Sequence, residues 1–145
     1  MDFIDRLINA LTETHPIHPM LVHFPIALTG AGALFILIAA WKKNSALEQA
    51  AFANITLAFW GALAAAFTGI RSNIETYEGA APNAMWKITL ATFLILISGA
   101  TSYVRWRNPN LFESKSRLIY IAAHLISFGL ALTLAFLGGV ILYGF

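Results

Sequence analysis

The chain has 145 residues and no cysteine. That excludes disulfides, thiolate metal sites, iron–sulfur clusters and covalently attached c-type haem. Charge is scarce as well. Only 11% of residues are charged and 59% are apolar, whereas soluble domains carry about 25% charged residues. The formal net charge of +2 belongs to loops and gives no reason to expect nucleic acid as a partner. Nucleophile–His–acid sets, phosphate-cradling glycine loops and HExxH are missing. Catalysis therefore has little support. The opening "MDFIDRLINALTE" has acids where the basic n-region of a cleavable signal peptide would stand.

What is present is apolar sequence in four runs of about twenty residues or more, the length that crosses a hydrocarbon core. The expected fold is an all-α membrane protein, a single four-helix transmembrane domain over residues 1–145. The runs place helices at about 19–41, 47–70, 83–104 and 114–143. Helix 1 is expected to start at Pro19, since proline is favoured in the first helical position. His15 and His18 each precede a proline and are expected to be extended. Ahead of the bundle, Phe3, Ile4, Leu7, Ile8 and Leu11 share one face of a short amphipathic interfacial helix over 2–13.

Small residues recur at helical spacing. Helix 2 carries Gly61, Ala65 and Gly69, flanked by Ala58, Ala62 and Ala66. Helix 4 carries Ala131, Ala135 and Gly139, and helix 1 carries "TGAGA", Thr29 to Ala33. Such stripes let backbones approach closely in lipid. They serve packing within one chain or between two, so a homodimer stays open.

Basic residues set the orientation. Lys42, Lys43, Arg105, Arg107, Lys115 and Arg117 flank the loops after helices 1 and 3, while Arg6, Arg71 and Lys87 lie on the other side. The excess puts those two loops in the cytoplasm and both termini in the periplasm, for a multi-pass protein of the bacterial inner membrane. Trp41 and Trp106 suit the inner aromatic belt and Trp86 the outer one.

The chemistry-bearing residues gather in "ETHPIHPMLVHFPIAL", where His15, His18 and His23 meet the first apolar run. Imidazole suits zinc and copper, so the three form a candidate metal site. A haem needs two ligands at similar depth. His23 and Met85 both stand near the outer face and are the pair that fits one chain; His/Met ligation would raise the potential. A haem shared between the His23 residues of two protomers is the alternative. Arg71 and Lys87 would face propionates. His18 and His124 are further candidate ligands, and His124, alone in helix 4, also suffices for a chlorin that takes one axial ligand. Equally, His23 can bond the carbonyl freed by Pro25, and His124 can bond Asn54, Thr56 or Ser98 across helices. His23 is expected to matter more than His15. Transport has little support, because no intramembrane carboxylate is apparent.

"HPMLVHFPIAL", residues 18–28, resembles the signature of a family of small four-helix bacterial membrane proteins known only as a domain of unknown function, which reads roughly HPxxVHFPIAL. "LGGVILYGF", Leu137 to Phe145, resembles the close of the same family. The resemblance covers the whole chain. It implies a subunit associated with a redox or electron-transfer complex at the outer face, with a b-type haem as candidate cofactor and a periplasmic c-type cytochrome or other complex subunits as partners. Many members have a histidine near the start of helix 3, where this chain has Met85. The second reading is a cofactor-free structural or assembly subunit, or a single-histidine pigment-binding subunit.

Overall fold

A computed structural model describes residues 2–5 and 17–143, with the side chains of residues 140–143 left aside. The described residues contain no strand. They form α1 (Ile17–Lys42), α2 (Ser45–Tyr77), α3 (Ala84–Arg107), a 3₁₀ turn (Leu111–Glu113) and α4 (Arg117–Tyr143). Most of the expected interfacial helix lies outside the described residues; residues 3–5 are helical. All four long helices have the length and apolarity to cross a bilayer.

Their ends follow local chemistry. Asn44 caps α2, its Oδ1 accepting from the backbone N–H groups of Ala46 and Leu47 at 2.9 and 3.1 Å. Pro19 sits in the first turn of α1, where its missing N–H would have no partner in any case. His18 is therefore helical rather than extended. Helix α2 runs seven residues past Ile70. Arg71 and Glu75, one turn apart and 2.8 Å from each other, bond along it. It ends where Glu78 turns left-handed and its N–H returns to the Asn73 carbonyl.

The helices run up and down. Each packs on its neighbours in sequence, and α4 closes back on α1. The α1–α2 seam is the most intimate. Pro25 Cδ lies only 3.3 Å from where a Cβ on Gly61 would stand, and His18 Cε1 only 2.8 Å from the same point on Gly69. The glycines of the helix 2 stripe thus serve packing within the chain. Gly129, Gly138 and Gly139 on α4 meet nothing within 4 Å.

The core is built from small residues: Ala33, Ala39, Ala51, Ala58, Ala62, Ala65 and Ala131, with Ile36 and Ile55 the large apolar side chains that are fully buried. Large apolar groups such as Leu34, Trp60, Phe67, Phe93, Leu96 and Phe136 point outward. A water-soluble bundle would bury these; a lipid-facing one has no reason to.

Candidate functional site

The bundle has two ends. One holds Lys42, Lys43, Arg105, Arg107 and Arg117, and is called the basic end. The other holds His18, His23 and the α2–α3 connection, and is called the histidine end.

At the histidine end, α1 carries a buried stripe through Pro25, Thr29, Gly32, Ala33, Ile36 and Ala39. Continued backward at helical spacing, it reaches His18 and bypasses His23. His18 is half-buried, and its Nδ1 lies 3.2 Å from the Thr68 hydroxyl on α2. That hydroxyl already commits its proton to the Ala64 or Ala65 carbonyl, at 3.0 and 3.2 Å. With the ring proton on Nδ1, this contact is an Nδ1–H donation to Thr68 and the lone pair stays on Nε2, the form of imidazole that ligates metals. Lys87 on α3 is near enough for its charge to act on the ring.

His23 is exposed, and its Nδ1–H donates to the Pro19 carbonyl at 2.5 Å. The carbonyl it satisfies is one turn back on its own helix, rather than the one freed by Pro25. Met85 is 76% exposed at the start of α3. Helices α1 and α3 are not among the extensively packed helix pairs. Arg71 is exposed and paired with Glu75. His15 lies outside the described residues. Among the described residues, no three His, Asp or Glu side chains gather as a metal site.

His124 is 0% exposed. Its Nδ1–H donates to the Tyr120 carbonyl at 3.0 Å, and its Nε2 has no partner in the protein. The expected cross-helix bonds do not form. Asn54, Thr56 and Ser98 bond back to the carbonyls of Ala50, Phe52 and Leu94 on their own helices, at 2.8, 2.8 and 2.6 Å. Gly32 and Asn54 close in on the His124 ring. The ring is enclosed between α1, α2 and its own helix.

The basic end holds what the sequence did not suggest. Glu48 is only 3% exposed. Arg105 grips it in a two-pronged pair, Nε to Oε1 at 2.6 Å and Nη2 to Oε2 at 2.9 Å, and the Tyr120 hydroxyl donates to Oε1 at 2.9 Å. A buried carboxylate is therefore present in the first turn of α2. It is neutralised by the guanidinium and joins α2, α3 and α4. The Tyr120 ring meets His124 edge-on at 4.7 Å. Arg117 stacks on Phe112 at 4.7 Å and donates to the Ala40 carbonyl at 2.8 Å, filling an otherwise orphaned acceptor in the last turn of α1. Every helix is tied down here by a charged side chain.

Residues 14–145 match the family described as "Predicted membrane protein (DUF2231)". The chain belongs to that family. No curated protein and no solved structure matches it. The family assignment, the four spans and the outward apolar rings agree on one statement: this is an integral membrane protein in a lipid bilayer.

Proposed function

We propose that this DUF2231 protein is the membrane-embedded subunit of a bacterial inner-membrane redox complex, and that its histidine end holds a b-type haem through His18. The observation that carries the reading is the seating of His18. Thr68 fixes the Nδ1–H, Gly69 gives the ring a cradle that any side chain would fill, and Nε2 is left as the donor atom. Lys87, whose charge acts on the His18 ring, would be the cation to meet a propionate. A bound haem would supply one-electron chemistry; the chain's own part is to orient the imidazole and to compensate anionic charge. Any further ligand would be supplied by a second copy or a partner subunit. His23 and Met85, both exposed near this end, are available to a group held between chains rather than inside one.

Lys42, Lys43, Arg105, Arg107, Lys115 and Arg117 favour a cytoplasmic basic end. The histidine end and both termini then face the periplasm, where a c-type cytochrome could exchange electrons with the complex. The test is a haem titration of the purified protein followed at the Soret band, with His18→Ala, His23→Ala and His124→Ala in parallel. The reading expects a band that shifts on dithionite reduction and is lost with His18→Ala alone. Absence of any band in the wild type would reject it.

A second reading rests on a different observation, the α1–α2 seam closed by Gly61, Gly69 and alanines. That seam suits a cofactor-free structural or assembly subunit. The same titration separates the two.

A further inference from the structure

Among the described residues the salt bridges are Arg71–Glu75 and Glu48–Arg105. At the basic end only Arg105 thus has a carboxylate partner. Two of the remaining cations, Lys43 and Arg117, line a cleft between the α1–α2 connection, the 3₁₀ turn and the start of α4. Ser45, Phe112 and Glu113 complete its walls. Glu113 borders the same space and forms a salt bridge with neither cation.

Both cations are fixed by the fold. The Arg117 guanidinium stacks on Phe112 and donates through Nη2 to the Ala40 carbonyl. Its other N–H groups and its charge are left to a further partner. Lys43 has a φ of +51°, in the left-handed region, and the Asn44 N–H next to it returns to the Ala39 carbonyl. Glycine is the ordinary residue at this place in a helix end. Lysine there brings an ammonium to the cleft at a backbone cost.

Size and surroundings narrow the occupant. The cleft has a volume of about 210 Å³. That is well above a water's share of about 30 Å³. It is below the roughly 300–1,000 Å³ of sites that enclose a whole organic ligand. A group of phosphate size fits, and the rest of such a ligand lies outside. Outside, the surface is apolar. Leu118 and Ile119 directly follow Arg117 and are 78% and 74% exposed. Trp41 and Trp106 are exposed at the same end, and tryptophan marks the headgroup level of a bilayer. The cleft therefore stands at the level of phosphate headgroups, with hydrocarbon-facing side chains beside it.

Net charge chooses among headgroups. Lys43 and Arg117 against Glu113 leave an excess of one positive charge in the lining. The phosphodiester of an anionic phospholipid cancels it. A zwitterionic phospholipid brings no net charge and leaves it standing. We propose that Lys43 and Arg117 form a binding site for the phosphate of an anionic phospholipid in the leaflet at the basic end, its acyl chains lying over the apolar surface that begins at Leu118 and Ile119. Basic pockets between spanning helices recognise anionic headgroups in this way.

The experiment is native mass spectrometry of the full chain in detergent at about 0.15 M salt, where exposed charges more than roughly 8 Å apart are largely screened. The probes are phosphatidylglycerol, phosphatidylethanolamine and inorganic phosphate. Wild type should retain one phosphatidylglycerol and hold phosphatidylethanolamine far more weakly. Lys43→Gly removes the ammonium and suits the left-handed backbone. It should keep or raise the thermal midpoint in lipid-free detergent and weaken phosphatidylglycerol retention about fivefold. Lys43→Asn, also suited to that conformation, should weaken retention alike. Arg107→Gln removes the same charge from the same end but outside the cleft, and should change retention less than about twofold. Equal losses from Lys43→Gly and Arg107→Gln would reduce the effect to diffuse surface charge and overturn the site. Phosphatidylethanolamine held as firmly as phosphatidylglycerol would overturn it too. Displacement of the lipid by an equal concentration of inorganic phosphate would assign the cleft to a soluble anion instead. The histidine end takes no part in these readouts, so their outcome is independent of the His18 reading.

Discussion

The two ends of the bundle solve opposite problems. At the basic end, charged side chains are drawn inward and paired: Glu48 with Arg105 and Tyr120, and Arg117 with the last turn of α1. At the histidine end, polar side chains stay outward or half-buried, and the contacts that hold the helices are glycine against ring. A charge in a low-dielectric interior is tolerated only with a partner of good geometry, so the basic end is fixed in one arrangement. Glycine contacts are tight yet non-directional, and among the described residues they leave His23 and Met85 exposed. The first end specifies the bundle. The second is suited to use it.

That contrast can be broken by substitution, and the largest effects belong to the basic end. Arg105→Leu leaves the Glu48 carboxylate buried without its cation. The expected loss is about 3–5 kcal/mol, read as a fall in thermal midpoint in detergent. Replacing the pair together, Glu48→Leu with Arg105→Leu, should recover much of that loss, because the penalty lies in the stranded charge. A double variant as damaged as the single would mean that the ion pair itself supplies net stability.

Next comes His18. His18→Ala removes the Thr68 bond and a half-buried ring, and should lower stability by about 1 kcal/mol. His23→Ala should stay within about 0.5 kcal/mol, since His23 is exposed and bonds only within its own turn. Equal losses would erase the distinction drawn between the two histidines. Smallest of all is Arg71→Ala. Its bond to Glu75 is an exposed pair one turn apart, and its removal should shift stability by no more than about 0.5 kcal/mol. A larger effect would show that Arg71 meets something beyond Glu75.

The sequence showed the helices more readily than the site. Four apolar runs of spanning length leave little choice of fold, and the Gly61–Ala65–Gly69 stripe marks the seam with α1. The far end of α2 was misread because Arg71, Asn73 and Glu75 look like loop residues; their one-turn spacing was the available signal for a longer helix. Glu48 was missed for a different reason. It stands in the first turn of the expected helix 2, just after the basic connection of Lys42 and Lys43. Its partners Arg105 and Tyr120 are 57 and 72 residues away. No local pattern reports that meeting.

Helix α1 is apolar on all sides, so hydropathy does not tell which face is buried. Pro25 and Thr29, four residues apart and both buried, carried the clue. Extended backward, their stripe includes His18 and excludes His23. The expectation for His124 failed through backbone competition. In a helix, Ser, Thr and Asn reach their own carbonyls one turn back more readily than a neighbour's imidazole.

One measurement tests the division of labour directly: an absorbance melt of haem-supplemented protein, recording the Soret band and the unfolding midpoint in the same sample, for wild type, Arg105→Leu and His18→Ala. The account predicts a crossed result. Arg105→Leu unfolds at a markedly lower temperature and keeps the wild-type band below it, whereas His18→Ala loses the band and its midpoint falls much less than that of Arg105→Leu. A Soret band that survives His18→Ala, or one that disappears from folded Arg105→Leu, would contradict the assignment of the two ends.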